Sequence, residues 1–85
     1  MNGMPKYFFN TRNGQAFSDL EGTDLDDLSA ARLAALRFAG EILKDEGEAF
    51  WRTSKWHLDV SDESGAVLFS LDVSATGHGS SANVE

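Results

Sequence analysis

The sequence predicts a single α+β domain: a four-stranded, mainly antiparallel sheet with one long amphipathic helix on one face, in the order β-β-α-β-β. Three observations predict it. Asn13-Gly14 follows an aromatic and β-branched run, Tyr7, Phe8, Phe9 and Thr11, as a hairpin turn would. A helical stripe of apolar residues runs from Leu28 to Leu43. Two alternating segments, Trp56–Asp62 and Ala66–Ser74, flank the turn Glu63-Ser64-Gly65. A helix with one apolar stripe must bury it, and the two hairpins supply the sheet. Strand order stays open.

The domain is expected over residues 4–74, after a loose leader at residues 1–3 and before a disordered polar tail at residues 75–85. Asn and Gly both tolerate positive φ, so Asn13-Gly14 suits a two-residue turn. Gln15 to Asp19 then returns as a short strand carrying Phe17. Asp19, Glu21, Asp24, Asp26 and Asp27 make an acidic connector. On a wheel of about 100° per residue, Leu28, Ala31, Ala35, Phe38, Ala39, Ile42 and Leu43 share one arc. Asp26 or Asp27 is the expected N-cap, and Gly47 the residue just past the helix. Phe50 and Trp51 lie in a connector. In the second hairpin Trp56, Leu58 and Val60 point one way, as do Val67, Phe69, Leu71 and Val73. The expected core is Tyr7, Phe9, Phe17, Leu28, Ala35, Phe38, Ala39, Ile42, Trp56, Leu58, Val60, Val67, Phe69 and Leu71.

Composition narrows the function. The chain has 85 residues, no cysteine and a net charge of −7, from 14 acidic and 7 basic residues. Disulfides and thiolate metal sites are excluded, which suits a cytoplasmic protein. The field repels a phosphate backbone, so sequence-independent nucleic-acid binding is disfavoured. No apolar run approaches the ~20 residues of a membrane span.

Candidate sites are few. Asp19, Glu21, Asp24 and Asp26 offer carboxylates to a hard cation, but EF-hand spacing is not met, and helix capping explains them more simply. His57 stands on a strand beside Asp59, without a nucleophile to activate. His78 lies in the tail, too loosely held for catalysis. Trp51, Arg52, Lys55 and Trp56 interleave indoles with cations, as base-stacking surfaces do, though core packing is the simpler reading. No metal or cofactor is expected, and no enzyme. The sharpest candidate is an interaction surface of Phe8, Leu68 and Trp51 on the open sheet face, with Leu33 and Leu36 outside the helix's apolar arc.

The stretches Met4-Pro5-Lys6-Tyr7-Phe8-Phe9, Asn13-Gly14, Asp19-Leu20-Glu21-Gly22 and Leu28-Ser29-Ala30-Ala31-Arg32 resemble a family of short proteobacterial proteins of unknown function. Trp56-His57-Leu58-Asp59-Val60-Ser61-Asp62-Glu63-Ser64-Gly65 resembles its second hairpin. The resemblance implies a shared fold from Met4 to Val73 and brings no activity with it. A hairpin, a glycine-bearing acidic connector and an Ala-rich helix are also distantly similar to small antitoxin domains, although a proline-rich segment before the helix and a DNA-binding extension are lacking. The expected function is a non-enzymatic interaction module that forms a homodimer or binds another protein. The alternative is an antitoxin-like regulator or an acidic nucleic-acid mimic.

Overall fold

A computed structural model describes residues 4–13 and 15–77. Along the chain run strands β1 (Lys6–Arg12), β2 (Ala16–Phe17) and β3 (Thr23–Asp24), helices α1 (Leu28–Asp45) and α2 (Gly47–Thr53), and strands β4 (Lys55–Ser61) and β5 (Val67–Ser74). The sheet is antiparallel in the order β2-β1-β4-β5, with β3 also on β1. The α+β class is as expected. The count differs: five strands and two helices replace four strands and one.

Each departure has a physical cause. Arg12 pairs with Ala16, so three residues, not two, separate the first hairpin's strands. The return strand is only two residues long, because Asp19 leaves the ladder to act through its side chain. The acidic connector holds β3, which pairs Asp24 with Lys6 and Thr23 with Tyr7. Gly47 falls just past α1, as expected, next to the Glu46 cap, whose N–H donates to the Ile42 carbonyl at 2.8 Å, but it also opens α2 where a connector was expected. The reward for that second helix is Phe50, buried against the core at 9% exposure. The left-handed cap is Ser54, at φ +59°.

Helix α1 starts where its cap dictates. The Asp27 carboxylate accepts from the Ala30 N–H at 2.9 Å. Ala31, Ala35 and Ala39, one turn apart, are buried, and so are Leu58 and Val60 on β4. Small side chains at i, i+4 and i+8 set the helix close to the sheet. Tyr7, Phe9 and Trp56 complete the buried set, with Leu28, Phe38, Ile42, Phe69 and Leu71 half-buried around it. Phe9 and Phe38 meet at 5.8 Å between ring centroids.

Two expected core residues are exposed. Phe17 is 62% exposed, because β2 is a two-residue strand at the sheet margin and Phe17 lines open grooves beside Phe38 of the helix. Val67 is 56% exposed, because it stands beyond a β-bulge. Val60 pairs with Phe69 and Ser61 with Val67, which leaves Leu68 as the extra residue. Ala31, on the helix's apolar arc, is fully buried, and Phe50, expected in a connector, joins the core. The expected leader at residues 1–3 and most of the expected tail, residues 78–85 with His78, lie outside the described residues.

Candidate functional site

The face of the sheet opposite α1 carries cross-strand polar rows. Arg12 pairs with His57 and His57 with Asp72; Asn10 pairs with Asp59 and Asp59 with Ser70. Strand alternation puts all six side chains on that face. His57 bonds through Nδ1 to Asp72 and through Nε2 to Asp59, at 2.7 Å. The Ser70 hydroxyl donates to the Asp59 carboxylate at 2.6 Å. Asp72, then Asp59, raises the His57 pKa above its ordinary value. The Ser70 hydroxyl, then the imidazole, lowers that of Asp59.

The chemistry of this row follows from its order. A nucleophilic serine needs a histidine nitrogen as its base. Here the hydroxyl bonds a carboxylate, and carboxylates take both imidazole nitrogens. The arrangement favours a doubly protonated imidazolium as a strut between β4 and β5, with no ring nitrogen left to take a proton.

The acidic connector is built for structure. β1 points the N–H and C=O of Tyr7, Phe9 and Thr11 away from β4. β3 meets Tyr7 and β2 meets Thr11, which leaves Phe9 between them. The Asp19 carboxylate fills that gap, accepting from the N–H groups of Phe9 (3.1 Å), Glu21 (3.1 Å) and Gly22 (3.0 Å). Asn10 in turn accepts from the Asp19 N–H at 2.9 Å. Burial pushes the Asp19 pKa up, but the three donors outweigh it and hold it below its ordinary value. Asp24 pairs with Lys6 at 3.0 Å, and Asp27 caps α1. Among the described residues no three acids or histidines are grouped to hold a metal.

The apolar candidates do not form one patch. Phe8 is half-buried beneath Gly22, where a Cβ would come within 2.9 Å of its ring. Gly22, at φ +75°, is what lets the connector pass so close. Trp51, 68% exposed, stands on α2 edge-on to Phe50. α2 leads into the start of β4, whereas Leu68 lies beside its end, about 20 Å away at 3.3 Å per residue. The interleaved indoles separate too, since Trp56 is 2% exposed inside the core.

What remains is one flank. Leu33 and Leu36 are exposed on α1. Leu36, Arg32 and Ala35 form one wall of a groove of about 280 Å³ whose other wall is Phe69, Ser70 and Leu71 of β5. Beyond the groove lies the outer edge of β5, to which no strand pairs among the described residues. The sequence pattern exposed Leu33 and Leu36 but not the edge, because strand order was not legible.

The family described as "Domain of unknown function (DUF6894)" matches residues 6–74. The chain belongs to this family. The matched segment runs from the first residue of β1 to the last of β5, so every element of the sheet and both helices fall inside it. No curated protein and no solved structure matches. Among the described residues no helix is long and apolar enough to cross a membrane.

Proposed function

We propose that this domain is a non-enzymatic protein-interaction module whose working surface is the α1–β5 flank. One observation carries the reading: beside exposed Leu36 runs the outer edge of an eight-residue strand that no other strand pairs among the described residues. An open edge offers a row of backbone donors and acceptors, and an adjoining apolar groove offers side-chain pockets. Natural edges are commonly blunted by lysine or proline. Val67–Ser74 contains neither. The capped imidazole of His57 supports a role without acid–base chemistry.

The test is affinity capture from the native cell with wild type and Leu36→Glu side by side. Partners should be held by the wild type and released by the variant. Identical capture by both would contradict the reading.

A second reading rests on charge. Glu21, Asp24, Asp26 and Asp27 are exposed along the connector of a chain of net charge −7. This supports an antitoxin-like or nucleic-acid-mimicking regulator of a basic protein. It requires that Asp24, Asp26 and Asp27 changed to Asn release a basic partner that Leu36→Glu retains.

A further inference from the structure

The hydrogen-bond phase of the sheet shows which backbone groups of β5 face away from β4. The Ala75 N–H donates to the Ser54 carbonyl at 3.0 Å, in the same register that pairs Trp56 with Val73 and Leu58 with Leu71. Bonded pairs alternate along an antiparallel ladder. Phe69, Leu71 and Val73 therefore turn their backbone groups to β4. Ser70, Asp72 and Ser74 turn theirs outward. The phase agrees with β1, where Phe9 faces away from β4 and needs Asp19.

A second strand Val67–Ser74 is a self-complementary partner for this edge. In an antiparallel pair about a two-fold axis normal to the sheet, opposed side chains share a face, which allows centres on Ser70, Leu71 or Asp72. Centring on Asp72 sets two carboxylates against each other. Centring on Ser70 draws Val67 and the bulge at Leu68 into the ladder, where the strand twists away. Centring on Leu71 uses the regular part of the strand. It opposes Leu71 to Leu71 and Phe69 to Val73 on the helix face, and Ser70 to Asp72 on the polar face. The outward groups of Ser70 and Asp72 then meet as bonded pairs. On the helix face the Leu36 groove of each copy faces the same axis.

We propose that the occupant of the flank is a second copy of this chain, its β5 paired antiparallel to the first about Leu71; this rests on reading the flank as the working surface. The product is one continuous sheet through both copies, with both α1 helices on the same face and the β5 edge of each copy covered.

The chain has no cysteine, so a single introduced thiol reports the register. Leu71→Cys places two thiols in a directly opposed, non-hydrogen-bonded pair, within the reach of a disulfide. Ser70→Cys places them on a diagonal, about 7–8 Å apart. At about 100 µM, sedimentation should show a wild-type dimer, and mild oxidation should trap Leu71→Cys predominantly and Ser70→Cys sparsely. Leu36→Glu should raise the dimer Kd at least about tenfold with an unchanged far-ultraviolet spectrum. Phe17→Ser, on the opposite margin, should leave it unchanged.

A wild-type monomer at that concentration, a dimer indifferent to Leu36→Glu, or preferential trapping of Ser70→Cys overturns the proposal. If self-pairing fails while Leu36→Glu still releases a partner from the cell, the interaction-module reading survives. If Leu36→Glu alters neither, both fall.

Discussion

Removing the Asp19 carboxylate tests how the first half of the sheet is held. In Asp19→Ala the N–H groups of Phe9, Glu21 and Gly22 lose their acceptor, while the Asp19 N–H bond to Asn10 survives. Glu21 is exposed and its N–H turns to water. Those of Phe9 and Gly22 are part-buried, and each stranded donor costs about 1–3 kcal/mol. Taking the low end for groups water can partly reach, the loss is roughly 2–3 kcal/mol. For a domain of this length that lowers Tm by roughly 10–20 °C. Asp19→Asn keeps one oxygen and should fall between. Because folding lowers the Asp19 pKa, its contribution is complete above the ordinary value of 3.8 and is lost as pH falls below it. Urea unfolding followed by tryptophan fluorescence at pH 7 and pH 3 should show the variant's deficit shrinking in acid. A variant within about 0.5 kcal/mol of wild type at pH 7 would refute the role of Asp19 as a side-chain stand-in for a strand.

Three further outcomes follow from the packing and the polar face. Ala35→Leu, overfilling the site where α1 meets the sheet, should destabilise by about 1–3 kcal/mol, whereas Leu36→Ala should stay within about 0.5 kcal/mol; equal effects in denaturant titrations would mean the helix stands off the sheet. Gly22→Ala should cost more than about 1 kcal/mol, since φ is +75° and a Cβ meets Lys6 at 2.7 Å; a neutral change in Tm would contradict the close approach. Folding raises the His57 pKa, so its stabilisation is complete below the ordinary value of 6.5 and is lost as pH rises through the elevated one. Nuclear magnetic resonance titration of the ring should give a midpoint above 6.5, falling in Asp72→Asn; a midpoint at or below 6.5 would remove the strut.

Much of this fold is legible in the sequence, and the illegible parts share a cause. Local periodicity places α1, β4 and β5 within two residues, because each turns one face inward along most of its length. It put His57 and Asp59 on the outer face, since alternation alone decides that. Gly47 marks the end of α1, but α2 and the burial of Phe50 are not legible, because a glycine signals a local stop while the pull on Phe50 acts from across the core. Phe17 and Val67 are expected inside because periodicity shows neither how well a strand at the sheet margin is covered nor the bulge that shifts Val67 out of the alternation. The bulge at Leu68 and the Asp19 bridge depend on neighbours distant in sequence. Strand order depends on them too, and it decides which edge is open. Phe8, Trp51 and Leu68 therefore look like one face in the sequence when the chain separates them, and Leu36 stands out without the strand beside it.

Backbone amide exchange along β5, measured at low and high protein concentration, tests the flank most directly. The Leu71 and Val73 amides bond to β4 and should be slow at both concentrations. Those of Ser70 and Asp72 should exchange fast when dilute and slow markedly when concentrated, as the edge becomes covered. Rates at Ser70 and Asp72 that ignore concentration would contradict the account.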